Sequence, residues 1–290
     1  MARVTIPGAE EILDKEYRVL DKGFVRLVDY MGGDERIVQS ARVSYGRGTK
    51  SFREDRGLIR YLMRNRHTSP FEQVVLTFHA KLPVFVARQW VRHRTARLNE
   101  ISGRYSVLED EFYLPSPEQV SYQSDSNRQG RGEALPEDEA RSRIEAMRRE
   151  QERAYAEYER LLESGVAREL SRINLPLSVY TEWYWQIDLH NLFHFLDLRL
   201  DEHAQYEIRC YAEAVFEIIK SVCPLACEAF EDYVLGAVTF SRAEREALRE
   251  LLREAGRERI EAAGRAAGLS GREYERFAAK LRPQRHGGRP

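Results

Sequence analysis

Cysteine is scarce in this sequence, and long apolar runs are absent from it. The three cysteines, Cys210, Cys223 and Cys227, all lie late in a chain of 290 residues. An odd and sparse count gives no disulfide framework and predicts a cytoplasmic protein in a reducing compartment. No apolar run approaches the length of a membrane span, and the first residues lack the pattern of a signal peptide. We therefore expect no membrane partner.

Net charge is also nearly absent, at −1. Such a chain produces no global field that would attract nucleic acid, so any anion must be bound by a local cluster. Only six of the 46 basic residues are lysine. Arginine, whose planar fork fits phosphate and carboxylate, is thus the main source of positive charge.

The periodicity of apolar residues predicts an α+β fold, with a small antiparallel sheet and a predominantly helical body. Alternation predicts strands over 24–30 and 74–82. Residues 95–116 look irregular, and the polar stretch 117–135 is predicted to be a mobile loop. Helical spacing predicts helices at 34–44, 54–66, from Pro83 to about 92–94, and at 137–164, 166–174, 178–199, 201–222 and 225–235, with a helical tail after 241.

The most informative motif is Arg92-His93-Arg94, followed after seven residues by Ser102-Gly103-Arg104-Tyr105-Ser106. A serine hydroxyl, a glycine that permits close approach to the backbone, and several guanidinium groups together suit an anion such as phosphate. The competing interpretation is a basic loop paired with surface acids. The length of the combined pattern favours an anion site.

The motif resembles the signature of the flavin-dependent thymidylate synthases. The resemblance covers about residues 15–235 and extends in order through the stretches His67–Glu72, Phe85–Trp90, Asn99–Ser106, Leu175–Leu177 and Leu198–Gln205. It implies reductive methylation of dUMP to dTMP, with methylene-tetrahydrofolate as carbon donor and NADPH-reduced FAD as hydride source. It also implies a homotetramer with shared active sites. The predicted domains are a catalytic domain, 1–236, and a helical extension of unassigned role, 237–290.

The resemblance also carries site residues onto this sequence. For dUMP it implies Gln89, Trp90, Val91, Arg92, Glu100, Ile101, Ser102, Gly103, Arg104, Arg172 and Arg199. For FAD it implies Ser69, Arg92, His93, Arg94, Glu100, Asp188, His190 and His194. His67 is a candidate folate contact. Two positions depart from the common pattern, since His194 stands where some members have Asn and Ser69 where Thr is common.

Arg199 is the residue that we predict to be catalytic. Carbon 5 of uracil is a weak nucleophile unless the ring gains electron density, and a guanidinium at the pyrimidine edge stabilises the ring ionised at N3. The competing interpretation pairs Arg199 with Asp197 or Glu202 on a helix face.

Other sites and functions fit the sequence less well. No cysteine has the adjacent histidine of conventional thymidylate synthases, which attack uracil with a thiolate. His190 and His194 have helical i,i+4 spacing, but no HExxH pattern surrounds them, so we predict no metal. No GxGxxG follows a predicted strand, so a Rossmann-type flavin site is not supported.

Two alternatives come from other functional classes. One is a nucleic-acid-binding module around the basic run 88–97, which contains a tryptophan. The other is a helical scaffold built on 137–164 and 241–280. Net charge and the absence of a nucleic-acid motif disfavour the first, so we expect no nucleic-acid partner.

The candidate residues fall into three blocks, 67–72, 88–104 and 172–203. A helix over 137–164 would span roughly 42 Å. We therefore expect it to carry the third block away from the other two, so that a symmetric partner completes the site.

Overall fold

The computed structural model describes residues 5–43, 52–125, 129–269 and 271–281. The chain forms two compact units, Met1–Gly236 and Ala237–Pro290. In the described residues, no helix combines the length and the apolarity that crossing a bilayer requires.

An antiparallel sheet of five strands organises the first unit. The strands in the described residues of the unit are β1 (Tyr17–Val19), β2 (Gly23–Met31), β3 (Val75–Pro83), β4 (Ala96–Glu100), β5 (Ser121–Gln123), β6 (Arg131–Ala134) and β7 (Tyr180–Asp188). The order in the main sheet is β1-β2-β3-β7-β4, and β5 pairs with β6 in a separate hairpin. With its helical body, this sheet confirms the predicted α+β class.

Helices make up most of the rest of the first unit. They are α1 (Pro7–Glu10), α2 (Asp34–Ala41), α3 (Phe52–Arg64), α4 (Val84–Trp90), α5 (Glu137–Glu163), α6 (Arg168–Ser171), α7 (Leu189–Arg199), α8 (Tyr206–Val222) and α9 (Pro224–Phe230). Short 3-10 turns cover Phe71–Gln73, Pro117–Gln119 and Arg172–Asn174, and α9 continues as a π-helical turn over Glu231–Leu235.

The predicted helix over 178–199 is wrong in its first half. Residues 180–188 form β7, the strand that joins β3 to the edge strand β4. Alternate residues Thr181, Trp183, Trp185 and Ile187 are buried on one face, which is the two-residue period of a strand. Pairing on both sides favours the extended form, and the helix begins only at Leu189.

Two further predictions are corrected by the sheet and the hairpin. The stretch 95–116, predicted to be irregular, contains β4, and the predicted mobile loop 117–135 contains a 3-10 turn and the β5–β6 hairpin. Pro83 ends β3 and precedes α4 instead of opening the helix. Helix α8 begins at Tyr206, later than the predicted 201.

Aromatic rings fill the core between the sheet and the helices α4, α7 and α8. Trp90 at the end of α4 is fully buried, stacks on Phe195 of α7 at 4.9 Å and meets Trp183 and Trp185 edge-on. Apolar burial on this scale holds α4 and α7 against β7. The residues that follow α4, including His93, are thereby held next to the end of α7.

The described part of the second unit contains three helices, and the sequence predicts a helical tail there. They are α10 (Arg242–Ala255), α11 (Arg257–Ala266) and α12 (Gly271–Leu281). Ser241 and Glu244 form a capping box that fixes the start of α10.

Candidate active site

The catalytic candidate Arg199 contacts the central histidine of the Arg-His-Arg motif. Arg199 lies in the last turn of α7 and donates from Nε to Nε2 of His93 at 3.1 Å. His93 also lies edge-on to Phe195 and His194, with ring centroids 5.0 and 5.9 Å away. A bond accepted at Nε2 places the ring proton on Nδ1, so the imidazole is neutral here.

Burial and charge keep His93 neutral. Partial burial, followed by the charges of Arg199 and His194, lowers the pKa of His93 to about 4. In the unfolded chain the histidine takes up a proton near pH 6.5, whereas in the folded chain His93 does so only near pH 4. This difference lowers the free energy of unfolding as the pH falls from 6.5 to 4.

We expect the His93 imidazole to titrate near pH 4 when followed by NMR. Replacing Arg199 by glutamine removes the neighbouring cation and should shift the midpoint upward while leaving the histidine half-buried. The same spectra of an Arg160→Ala variant, which removes an exposed arginine of α5, provide the control. A titration midpoint of His93 near pH 6.5 in the wild-type protein would contradict its contact with Arg199.

Arg199 itself lies in an electropositive and partly buried place. Burial, with a smaller contribution from Arg92, lowers the pKa of its guanidinium from the ordinary value. Within the described residues, neither Asp197 nor Glu202 forms an ion pair with it, and its terminal nitrogens donate to no protein acceptor. Those nitrogens are therefore available to a ligand.

The Ser102–Arg104 turn forms a second group with residues that precede β7. A side chain at Gly103 would approach Cδ and Nη1 of Arg172 to 3.1 and 3.2 Å, so glycine lets this arginine lie against the backbone. Arg104 is 59% exposed and pairs with Glu169 at 3.1 Å. An exposed ion pair is weak, which leaves the Arg104 guanidinium able to exchange Glu169 for a phosphate.

Glu100 and Ile101 join this turn to the sheet. The Glu100 carboxylate accepts the hydroxyl proton of Thr181 at 2.6 Å, and the Ile101 amide donates to Glu182 at 2.9 Å. The carboxylate is thus held at the end of β4, where it can accept a further bond from a sugar hydroxyl.

Strand β4 separates the two groups. The group of Arg92, His93 and Arg199 lies at the start of β4, and the group of Ser102–Arg104 and Arg172 lies at its end. The strand's five residues span about 13 Å. The expectation that α5 carries the third block away is wrong, because β7 pairs with β4 and brings Arg199 to His93 and Arg172 to Gly103 in one chain.

The other candidate residues lie in more varied surroundings. Trp90 is wholly buried in the core, and Val91 is half-buried against it. Asp188 caps α7 by accepting from the amide of Asn191 at 3.0 Å. The remaining candidates are His67, whose ring lies tilted against that of Tyr61, the exposed residues Ser69, Arg92, Arg94 and His194, and the partly buried His190.

Two surface cavities are lined by residues outside these groups. Their volumes are about 850 and 1160 Å³, and Tyr113 lines both of them. Among the described residues, the lining of neither includes a predicted site residue. The larger one includes Gln205, which bonds to the candidate Gln89. Sequence reasoning did not assign Gln205 to the site, although it ends the family-like stretch Leu198–Gln205.

Comparison with known proteins identifies the family. A family model described as thymidylate synthase complementing protein matches residues 26–225, and one described as the thymidylate synthase ThyX C-terminal domain matches 238–286. A flavin-dependent thymidylate synthase of Treponema denticola is 62% identical over 274 residues, 94% of this chain and 99% of that protein. The chain belongs to the flavin-dependent thymidylate synthase family.

Two further relatives support the assignment. The flavin-dependent thymidylate synthase of Treponema pallidum is 53% identical over 97% of this chain and 90% of its own length. The crystal structure of the UMP/dUMP methylase PolB from Streptomyces cacaoi, bound with 5-bromo-dUMP, superposes with a TM-score of 0.69 at 34% identity, covering 75% of this chain and 98% of that one.

The cysteines of this flavin-dependent thymidylate synthase homologue are poor nucleophiles. Burial raises the pKa of the Cys223 and Cys227 thiols well above the ordinary value and also raises the pKa of Cys210. A thiolate is the reactive form, so thiolate attack on uracil is disfavoured at all three positions. Within the described residues, no three His, Cys, Asp or Glu side chains converge as metal ligands do.

Proposed function

We propose that this chain converts dUMP to dTMP by reductive methylation. Methylene-tetrahydrofolate donates the carbon, and FAD reduced by NADPH supplies the hydride. The observation that carries the proposal is the 62% identity to a flavin-dependent thymidylate synthase over nearly the whole of both chains. The basic group around His93 and the turn at Gly103 are the parts of this chain that suit the two anionic molecules.

The nucleotide is proposed to bind with its phosphate at Ser102, Gly103 and Arg104. Their neighbour Arg172 lies against Gly103 and adds a second cation. Two guanidinium groups beside an open backbone suit a phosphate dianion. The other proposed dUMP contacts are Gln89, Trp90, Val91, Arg92, Glu100, Ile101 and Arg199.

The hydrogen-bond donors of the Arg92-His93-Arg94 motif also fit the pyrophosphate of FAD. Arg92 and Arg94 are exposed cations on either side of a neutral His93, which can donate from Nδ1. Arginine-rich loops hold an anion without a Rossmann turn, in agreement with the missing GxGxxG. The other proposed FAD contacts are Ser69, Glu100, Asp188, His190 and His194, and His67 is proposed to face the folate.

Arg199 is proposed to activate the pyrimidine. Its Nε is held by His93, and its terminal nitrogens are free to meet the oxygens at the edge of the ring. A neutral His93 contributes no second full charge, so the guanidinium is the cation that stabilises the ring ionised at N3. Carbon 5 then carries more electron density and attacks the one-carbon donor.

We also propose a homotetramer whose sites are completed by neighbouring chains, in the cytoplasm. The separation of the two basic groups along β4 supports active sites shared between chains. A nucleotide whose phosphate lies at Ser102 needs a pyrimidine-binding group beside it, and the Arg199 of the same chain lies at the other end of the strand. The three cysteines are all free thiols, which fits a reducing compartment.

The test follows the flavin in the purified full-length protein loaded with FAD. We expect NADPH to bleach the flavin absorbance, and dUMP with methylene-tetrahydrofolate to restore it as dTMP forms. Deoxyuridine, which lacks the phosphate, is the matched substrate control and should support little turnover. Formation of dTMP by fully flavin-free protein would overturn the proposal, as would NADPH oxidation with no dTMP.

A further inference from the structure

The structure contains a buried carboxylate that is connected to the candidate site but has no role in the function proposed above. Glu207, in the first turn of α8, has a side chain that is only 3% exposed. Burying a carboxylate is costly unless it is paired and hydrogen-bonded. Three donors meet it, namely Nη2 of Arg131 at 2.5 Å, the hydroxyl of Tyr113 at 3.0 Å and Nε2 of Gln205 at 2.8 Å.

These donors come from three separate parts of the chain. Arg131 lies in the β5–β6 hairpin, Tyr113 precedes that hairpin, and Gln205 immediately precedes α8. Arg131 and Tyr113 both bond to Oε1, which leaves Oε2 for Gln205. The position of Oε2 is thus set by contacts that do not involve the candidate site.

The bond to Oε2 determines how the Gln205 amide is turned. A carboxylate paired with arginine accepts hydrogen bonds and donates none, so the NH2 group of Gln205 must face it. The Gln205 carbonyl oxygen then points the other way, where it accepts from Nε2 of Gln89.

The same logic determines the orientation of Gln89. Because its NH2 group faces the Gln205 oxygen, its own Oε1 is left to accept from a ligand, and no protein donor bonds to that atom within the described residues. The buried carboxylate therefore fixes the orientation of the Gln205 amide, and the Gln205 amide in turn fixes that of Gln89, which is assigned to the nucleotide site. Without the carboxylate, Gln205 loses the acceptor that fixes its NH2 group, and each amide can present either its donor end or its acceptor end to the next residue.

We propose that Glu207 is a positioning residue, which acts through Gln205 to hold Gln89 in the orientation that binds dUMP. The inference rests on the proposed function, since Gln89 is assigned to dUMP there. Glu207 touches no substrate. Its effect is on dUMP affinity, with a smaller effect on turnover at saturating dUMP.

The test is a double-mutant cycle on the FAD-loaded full-length protein, with dUMP affinity measured by calorimetry. Glu207→Gln keeps the size of the side chain but supplies both a donor and an acceptor, so the Gln205 amide is no longer fixed. We expect dUMP affinity to fall roughly tenfold, as for one misdirected hydrogen bond. In a Gln89→Leu background, the same change should alter affinity by less than about twofold.

Two further variants control for folding and for charge. Glu213→Gln, at a position 60% exposed on the same helix, should leave dUMP affinity unchanged. Gln205→Met interrupts the connection while leaving the Arg131 and Tyr113 bonds to Glu207 in place. If Glu207→Gln does not fold, Gln205→Met takes its place in the cycle with the same expected loss.

The outcomes separate this inference from the proposed function. Equal loss of affinity in both backgrounds would show a general structural role and overturn the inference, as would unchanged affinity in both Glu207→Gln and Gln205→Met. A Gln89→Leu variant with wild-type affinity would overturn the inference while leaving the proposed function intact. Failure of the wild-type protein to bind dUMP would overturn both the inference and the proposed function.

Discussion

Replacing Arg199 with alanine is expected to lower kcat by roughly two to three orders of magnitude, the usual loss when a preorganised charge-stabilising donor is removed. The guanidinium is fixed by its Nε bond to His93 at 3.1 Å, and its remaining nitrogens are free for the pyrimidine edge. Because that charge is needed most when the ring is ionised, the loss should appear in kcat at saturating dUMP.

Two comparisons make this expectation specific. Arg199→Lys keeps the charge but not the planar fork, and should retain an intermediate kcat. Arg160→Ala removes an exposed arginine of α5, 74% exposed, and should retain wild-type kcat. Steady-state kinetics at saturating folate and NADPH give the values, and thermal unfolding checks the fold. A folded Arg199→Ala variant with wild-type kcat would remove Arg199 from catalysis.

Much of the fold could be predicted because local periodicity and tertiary pairing agree in it. The first eight residues of β3 alternate between partly buried and buried positions, and the apolar residues of α5 fall mostly at three- and four-residue steps. The sequence predicts a helix over residues 180–188 because the alternation of Thr181, Trp183, Trp185 and Ile187 runs directly into the helical pattern of α7. The alternation itself is typical of a strand, and pairing with β3 and β4, both distant in sequence, fixes its extent.

The candidate site was predictable as a set of residues but not as an arrangement. The motif places Arg92, His93 and Arg94 together by adjacency alone. The contact between His93 and Arg199 joins residues 106 positions apart and depends on the packing of α4 and α7 against β7. Sequence patterns carry no such long-range information, so the length of α5 alone does not determine where residues 172–203 lie.

The network around Glu207 had no recognisable signal in the sequence. Its partner Arg131 lies in a stretch whose polar and glycine-rich composition predicts a mobile loop, although β6 pairs there with β5. A buried acid at the start of a helix also resembles the acidic residues that stabilise a helix N-terminus at the surface. Only burial and the three converging donors distinguish it.

The second large effect is expected from mixing two inactive variants. Arg104→Ala disables the basic group at the end of β4, and Arg199→Ala disables the basic group at its start. If one site takes these groups from different chains, hybrids will contain some sites in which both groups are intact. Equal mixing of freely exchanging subunits should restore about one quarter of wild-type sites, since each intact group is drawn from half of the chains.

A matched pair of variants decides whether the recovery comes from shared sites. Arg92 and Arg199 lie in the same basic group, and burial together with the smaller effect of the Arg92 charge lowers the pKa of Arg199. Mixing Arg92→Ala with Arg199→Ala chains therefore leaves every such group defective, and no activity should return. Subunit exchange is verified first with differently tagged chains. Recovery in the first mixture alone places Arg104 and Arg199 in one site from two chains, whereas equal failure of both mixtures, or full activity in a sedimenting monomer, places the complete site within a single chain.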